Sequence, residues 1–283
     1  MSLRFTFQLS IIVFVLTLST LSIAGSWDPP AESDLNWCDS VNWGFFGVPT
    51  STDTVTINST PEGPARIGTG CYADAASLII SQFGNDAAVK VYPGASLHVY
   101  GDTILGNYSG LGTLEIHDDV AIDGNLTVGY HFSGGEGILK MHGGVLSLAG
   151  DVDLGDQGGD GTLEITGGVM DITGELGMLN GQIQVNGGII SADNLSFITP
   201  YGTFDIRGEA TVILWRDLSD YIGHSISSIT ACNGQGTVIK DFYSNATVIR
   251  TECTCPDADI TGDCLVDLGD LAALADQWLD GVG

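Results

Sequence analysis

Basic side chains are what this chain has least of: 8 Lys and Arg stand against 35 Asp and Glu in 283 residues, a formal charge of −27 at pH 7. A nucleic-acid surface needs a basic footprint, so that class of function is excluded. Anionic lipid and acidic polysaccharide are disfavoured for the same reason. A polysaccharide lyase needs a Lys or Arg base beside bound Ca²⁺, and the basic residues after Arg4 (Arg66, Lys90, Lys140, Arg207, Arg216, Lys240 and Arg250) are scattered singly, which disfavours that activity. Long apolar runs are missing too. After residues 11–21 no stretch approaches the roughly 20 residues of a membrane-spanning helix, so no span is expected in the mature chain. Cysteine is absent from residues 112–185; all six (Cys38, Cys71, Cys232, Cys253, Cys255 and Cys264) fall to either side.

What the N-terminus does have is an export signature. Arg4 is its only charge, residues 11–21 form an apolar core, and Ser22-Ile-Ala24 is a small-x-small cleavage site, so residues 1–24 read as a signal peptide. The mature chain is therefore expected to be secreted or displayed at the cell surface, where disulfides are the default. Cys38–Cys71 is a reasonable pair, and the other four cysteines allow three connectivities. Zinc is the alternative for that group, but Cys253-x-Cys255 lacks the usual two-to-four-residue gap.

The middle of the chain repeats. Gly112-Thr-Leu-Glu-Ile116, Gly137-Ile-Leu-Lys-Met141, Gly161-Thr-Leu-Glu-Ile165 and Gly181-Gln-Ile-Gln-Val185 begin 25, 24 and 20 positions apart. Each is followed by a two-residue turn and another apolar alternation. Short alternating strands with Gly turns at a period near 25 predict a coil that stacks on copies of itself, an all-β parallel β-helix, or solenoid. One unit holds three strands: Leu139 and Met141, then Leu146 and Leu148, then Val152 and Leu154. Inward residues sit two apart, as strand geometry requires. Gly143-Gly144, Gly150-Asp151 and the loop from Asp156 to Asp160 supply the corners. About five to seven coils are expected, with Leu114, Leu139 and Leu163 lined up along the axis about 4.8 Å apart. Apolar residues make up 43% of the chain and fall in alternation, which excludes disorder despite the charge.

The remaining segments flank this repeat. Residues 25–80 read as an N-terminal capping segment, in which Trp27, Trp37 and Trp43 can stack on sugar rings or close the open end of the core; the cap is the expectation. Residues 81–250 hold the solenoid and its exit cap. Within them Asp118, Asp119, Asp151, Asp153, Asp156 and Asp160 sit at corners and outward positions, and no pair has the arrangement a glycoside hydrolase needs. His117 and His142 occupy the same place in consecutive repeats and, stacked, can share a metal ion. The next rungs, Thr166 and Asn186, offer no stronger ligand, so a polar corner ladder is the expected explanation.

Residues 251–283 change character. Asp259, Thr261, Asp263, Asp267 and Asp270 place oxygen donors at positions 1, 3, 5, 9 and 12 of a loop, with the Leu265 carbonyl at position 7 and apolar Val266 at position 8. Ca²⁺ takes six to eight oxygens, and carboxylates this close repel one another without a cation. A helix is expected after the loop, through Leu268, Leu271, Ala272, Ala275, Trp278 and Leu279. Position 12 is Asp rather than Glu, and Cys264 replaces the Gly of position 6; a disulfide from Cys264 to Cys255 or Cys253 would brace that corner. The bland reading is an acidic helix N-terminus that caps its own N–H groups.

Residues 259–279 resemble one half of a type I dockerin repeat, the EF-hand-like module with Asp at position 12; dockerins carry two such repeats and one is found here. The resemblance implies Ca²⁺ ligand roles for Asp259, Thr261, Asp263, Asp267 and Asp270, and docking to a protein partner. Residues 112–188 similarly resemble the autotransporter-associated β-strand repeats of bacterial surface proteins, whose G-T-L-x-I-x-G-G pattern is matched at residues 161–168. That implies a right-handed parallel β-helix and a non-catalytic passenger or adhesin. The expectation is an exported, non-catalytic surface or matrix protein whose calcium-binding tail attaches it to a protein partner or envelope component. The alternative is a carbohydrate-active protein that binds or degrades glycan along the solenoid.

Overall fold

The computed structural model describes residues 25–30, 34–44, 47–60, 62–131, 133–197, 202–216, 229–234, 236–253 and 271–274. Its strands wind into a parallel β-solenoid of about seven turns with very little helix. The chain opens with β1 (Gly25–Ser26), which pairs in parallel with β2 (Thr54–Ile57). From there each turn lays down three strands. The first turn runs through β2, β3 (Ala65–Ile67) and β4 (Tyr72–Ala75), the second through β5 (Ser77–Ile80), β6 (Ala87–Val91) and β7 (Ser96–Val99). The third holds β8 (Thr103–Asn107), β9 (Gly110–Ile116) and β10 (Asp119–Ile122); the fourth β11 (Leu126–Tyr130), β12 (Gly135–Met141) and β13 (Val145–Leu148).

Beyond β14 (Val152–Asp156) and β15 (Asp160–Ile165) the corner between the third strand of one turn and the first of the next straightens. β16 (Val169–Met178) and β18 (Ile189–Phe197) each serve both faces, with β17 (Gly181–Val185) between them. β19 (Thr203–Ile206), β20 (Thr211–Leu214) and β21 (Ile229–Ala231) continue the stack. The hairpin of β22 (Thr237–Tyr243) and β23 (Ala246–Glu252) then closes it, β23 running antiparallel along β20. Parallel pairing thus already includes residues 54–75, within the segment upstream of residue 81.

Three faces result. Face two is one parallel sheet of β3, β6, β9, β12, β15, β17, β19 and β21, while faces one and three are joined through β16. Alternation explains the interior: side chains two apart share a strand face, and the inward set is apolar but for a few residues such as Thr103, buried between Leu78 and Leu126, and Thr247, buried opposite Leu214. Along face two Ala65, Val89, Leu114, Leu139, Leu163, Ile183, Phe204 and Ile229 pair rung to rung, so the axial alignment expected of Leu114, Leu139 and Leu163 is present. All of them are buried.

One corner is glycine by necessity. Gly106, Gly129 and Gly155 follow buried Leu105, Val128 and Leu154 at φ of 69°, 77° and 72°. A Cβ on Gly129 would lie 2.1 Å from the Asp160 carbonyl oxygen of the next turn, and those on Gly106 and Gly155 would meet Glu136 and Asn180 as closely. Only a residue without a side chain lets successive turns close there.

The ends are braced. Trp37, Trp43 and Trp27 are buried edge-to-face, with centroids 4.7 and 4.9 Å apart, and Trp43 Nε1 donates to the Trp37 carbonyl at 2.6 Å. They belong to the same apolar cluster as Val55 and Ile57, as a cap requires, and leave no open ring face for a sugar. Residues around Asn36 hydrogen-bond along β3, and Cys38–Cys71 ties this segment to the first turn. Cys232–Cys253 ties the exit hairpin to the last turn. That pairing excludes the Cys253–Cys264 bridge; Cys255 and Cys264 lie outside the described residues.

Candidate functional site

The proposed calcium ligands Asp259, Thr261, Asp263, Leu265, Asp267 and Asp270 all lie outside the described residues; residues 271–274 just beyond them are helical. Among the described residues, chemistry gathers instead on the outside of face two.

The residues between the inward positions of that face form a second column. Arg66, Lys90, Glu115, Lys140, Glu164, Gln184 and Asp205 pair in register, so basic residues about 25 apart in the chain stand in one row. Their signs alternate from Lys90 to Glu164: Lys90 Nζ lies 2.6 Å from Glu115 Oε1, and Lys140 Nζ 3.2 Å from Glu164 Oε2. The next outward column continues just past the strand ends as Tyr92, His117, His142, Thr166, Asn186 and Arg207, each backbone N–H bonded to the preceding turn.

These columns meet at Glu115. Its Oε1 lies 2.7 Å from His117 Nε2 and 3.6 Å from His142 Nε2, besides the contact with Lys90. The two imidazoles stack with centroids 4.6 Å apart and planes 22° from parallel. One ligand atom from each of Glu115, His117 and His142 falls within 4.8 Å of the others. Burial pushes the Glu115 carboxyl up, but hydrogen bonds from Lys90 and His117 outweigh it and hold the group below its ordinary value. His142 is shifted down, by burial first and then by the charge of His117, with Glu115 opposing.

The hydrogen bonds also orient His142. Thr166 Oγ1 donates to the Met141 carbonyl at 3.3 Å and lies 3.0 Å from His142 Nδ1. The ring is thereby held with Nε2, the other nitrogen, facing Glu115.

The His117–His142 ladder therefore exists, but its third donor is not on the next rung. The equivalent positions of the following repeats hold Thr166 and Asn186. Glu115 lies two residues before His117, on the same outward side, and the signal for it in the sequence is the Glu-x-His spacing.

The corner carboxylates are engaged with backbone. Asp102 Oδ1 accepts from Asn125 N–H at 2.9 Å, Asn125 Oδ1 from Asp151 N–H at 2.9 Å, and Asp151 Oδ1 from Glu175 N–H at 2.8 Å. Asp119 Oδ1 takes the Val145 N–H at 3.0 Å, and Asp156 Oδ1 that of Gln157 at 2.7 Å. Each saves a corner N–H from going unpaired. Asp153 is raised, by burial first and then by Asp156, Asp151 and Glu175.

Fold and outer columns together define a parallel β-solenoid with an engaged acidic corner and a histidine–carboxylate cluster on one flank. Comparison with family models, curated proteins and solved structures finds no match to this chain.

Proposed function

We propose that this protein is an exported, non-catalytic scaffold of the cell surface or matrix, tethered through a Ca²⁺-binding C-terminal module. The observation that carries the scaffold half is the unbroken apolar stack from the tryptophan cap to the exit hairpin, with corner carboxylates occupied by the backbone of neighbouring turns. A solenoid so built offers a long rigid surface, and selective binding falls to its flanks and ends. The tether half rests on the oxygen spacing of Asp259, Thr261, Asp263, Leu265, Asp267 and Asp270, and on the resemblance of residues 259–279 to half of a type I dockerin. The pairing of Cys232 with Cys253 leaves Cys255 and Cys264 as partners for each other, a bridge that would brace position 6 of the loop. The resemblance of residues 112–188 to autotransporter-associated repeats points to the same kind of surface display.

Calorimetric titration of the oxidised full-length protein with Ca²⁺ tests the tether, with an expected Kd of about 10⁻⁴ to 10⁻³ M. Asp263→Ala should abolish that heat while leaving the circular dichroism of the solenoid unchanged; undiminished binding overturns the assignment. Release of reducing sugar, or retention on immobilised glycans, would replace the scaffold reading with the carbohydrate-active one.

A further inference from the structure

We propose that Glu115, His117 and His142 form a binding site for a divalent transition ion of the Zn²⁺ class, one that staples two neighbouring turns of the solenoid. This goes beyond the calcium tether and uses none of its residues.

The donor set selects the ion. Two imidazole nitrogens and one carboxylate oxygen suit Zn²⁺, Co²⁺ or Ni²⁺, whereas Ca²⁺ wants six to eight oxygens and finds one carboxylate here. Tetrahedral Zn²⁺ with ligands at about 2.0–2.1 Å holds its donors about 3.3 Å apart. The Glu115 oxygen stands 2.7 and 3.6 Å from the two Nε2 atoms, on either side of that spacing, and one donor atom from each of the three residues lies within 4.8 Å of the others.

Orientation is already supplied. Thr166 Oγ1, 3.0 Å from His142 Nδ1, holds the ring with Nε2 facing Glu115, the outer-shell arrangement that metal-bound histidines use. Lys90, with Nζ 2.6 Å from Glu115 Oε1, marks that oxygen as a position for positive charge. An incoming ion must displace the ammonium, which a flexible stem permits, and the proton that His117 Nε2 donates to Glu115, which is released to solvent. The three side chains are between a quarter and two-fifths exposed, so a fourth coordination position opens to water. His117 and His142 lie 25 residues apart on β9 and β12 extended by one residue, so the ion links consecutive turns.

The test uses the oxidised full-length protein in excess Ca²⁺, so that the C-terminal loop is filled with its own ion. Titration with Co²⁺, read by visible d–d absorption and reversed by Zn²⁺, should show one equivalent in a four-coordinate nitrogen–oxygen environment. His117→Ala, His142→Ala and Glu115→Gln should each weaken binding by about tenfold or more. Lys90→Met, which removes the competing ammonium, should tighten it several-fold. His98→Ala, at the His98–Asp123 pair elsewhere on the surface, should change nothing. Absence of a single-equivalent band, survival of binding in His142→Ala, or its loss in His98→Ala would overturn the site. Because these side chains point outward, unchanged circular dichroism in every variant separates lost ligation from lost fold.

Discussion

Leu139 and Lys140 are neighbours in one strand, yet they belong to two different kinds of column. Leu139 sits between Leu114 and Leu163, wholly buried, in a row that stays apolar from Ala65 to Ile229. Lys140 sits between Glu115 and Glu164 in a row whose identity changes at every rung. The inward row repeats because each residue must fill the space left by the turns above and below, and packing at crystal density tolerates little variation. The outward row is held only by charge alternation and solvent, so it is free to carry chemistry. Architecture and site are thus separated by one residue along the chain and by the full thickness of the sheet.

The largest test of that contrast is Leu139→Ala. The cavity would open between two leucines with turns fixed on both sides by continuous parallel ladders, which limits collapse. A loss of about 3 kcal/mol, within the 2–5 kcal/mol seen for such truncations, is expected from denaturant unfolding. A repeat architecture also allows the turns on either side to uncouple, so the transition should broaden as well. A loss below about 1 kcal/mol would mean that the inward column is not the stabilising one.

Most of the inward column was legible from sequence, because the two-residue alternation and the spacing of 25 and 24 between Gly112, Gly137 and Gly161 report the same geometry that the strands later adopt. The tryptophan cap and the Cys38–Cys71 bridge were legible for a related reason: a stack needs a lid, and large apolar residues with a cysteine stood where the repeat began. The exit was not. β22 and β23 turn antiparallel around Ser244-Asn245, and nothing in a lost period says which way the chain will run. The Glu115 cluster was overlooked for a different reason. Its donors come from two columns at once, and a reading along either column alone finds only half of it.

A smaller effect sharpens the other side of the comparison. Lys140→Glu would place three carboxylates in succession at Glu115, position 140 and Glu164. Like charges directly opposite in a sheet should cost up to about 1 kcal/mol at low ionic strength, since all three sites are partly exposed. Ala121→Glu, an outward position on face three between His98 and Ser147, should stay within about 0.5 kcal/mol of the parent. Unfolding both variants in low and in molar salt checks the origin: screening should erase the difference between them. A Lys140→Glu deficit that persists in molar salt would mean the column is held by packing of its stems rather than by alternating charge.

The smallest expected signal is the titration of His142 in metal-free buffer, followed by NMR of the imidazole. Burial and the neighbouring His117 should hold its midpoint below the ordinary histidine value, with Glu115 the one group pulling it upward. Glu115→Gln should therefore lower the midpoint further, and Lys140→Glu should raise it. The sign for stability follows from linkage. Because the native state binds this proton less readily than the unfolded chain, the contribution is complete above the unfolded value near 6.5 and is lost as pH falls through the lower native one. Glu115 adds a loss of the same sign at more acidic pH, where its depressed carboxyl protonates. Asp153 acts oppositely, since protonating a raised carboxyl relieves its crowding with Asp156, Asp151 and Glu175. His142→Gln should flatten only the first of these windows. A His142 midpoint at or above the ordinary value would show that the imidazole is held by the Glu115 charge rather than by its seat between the turns, and the outward column would then be an ion-pair array with no preference for a neutral ligand.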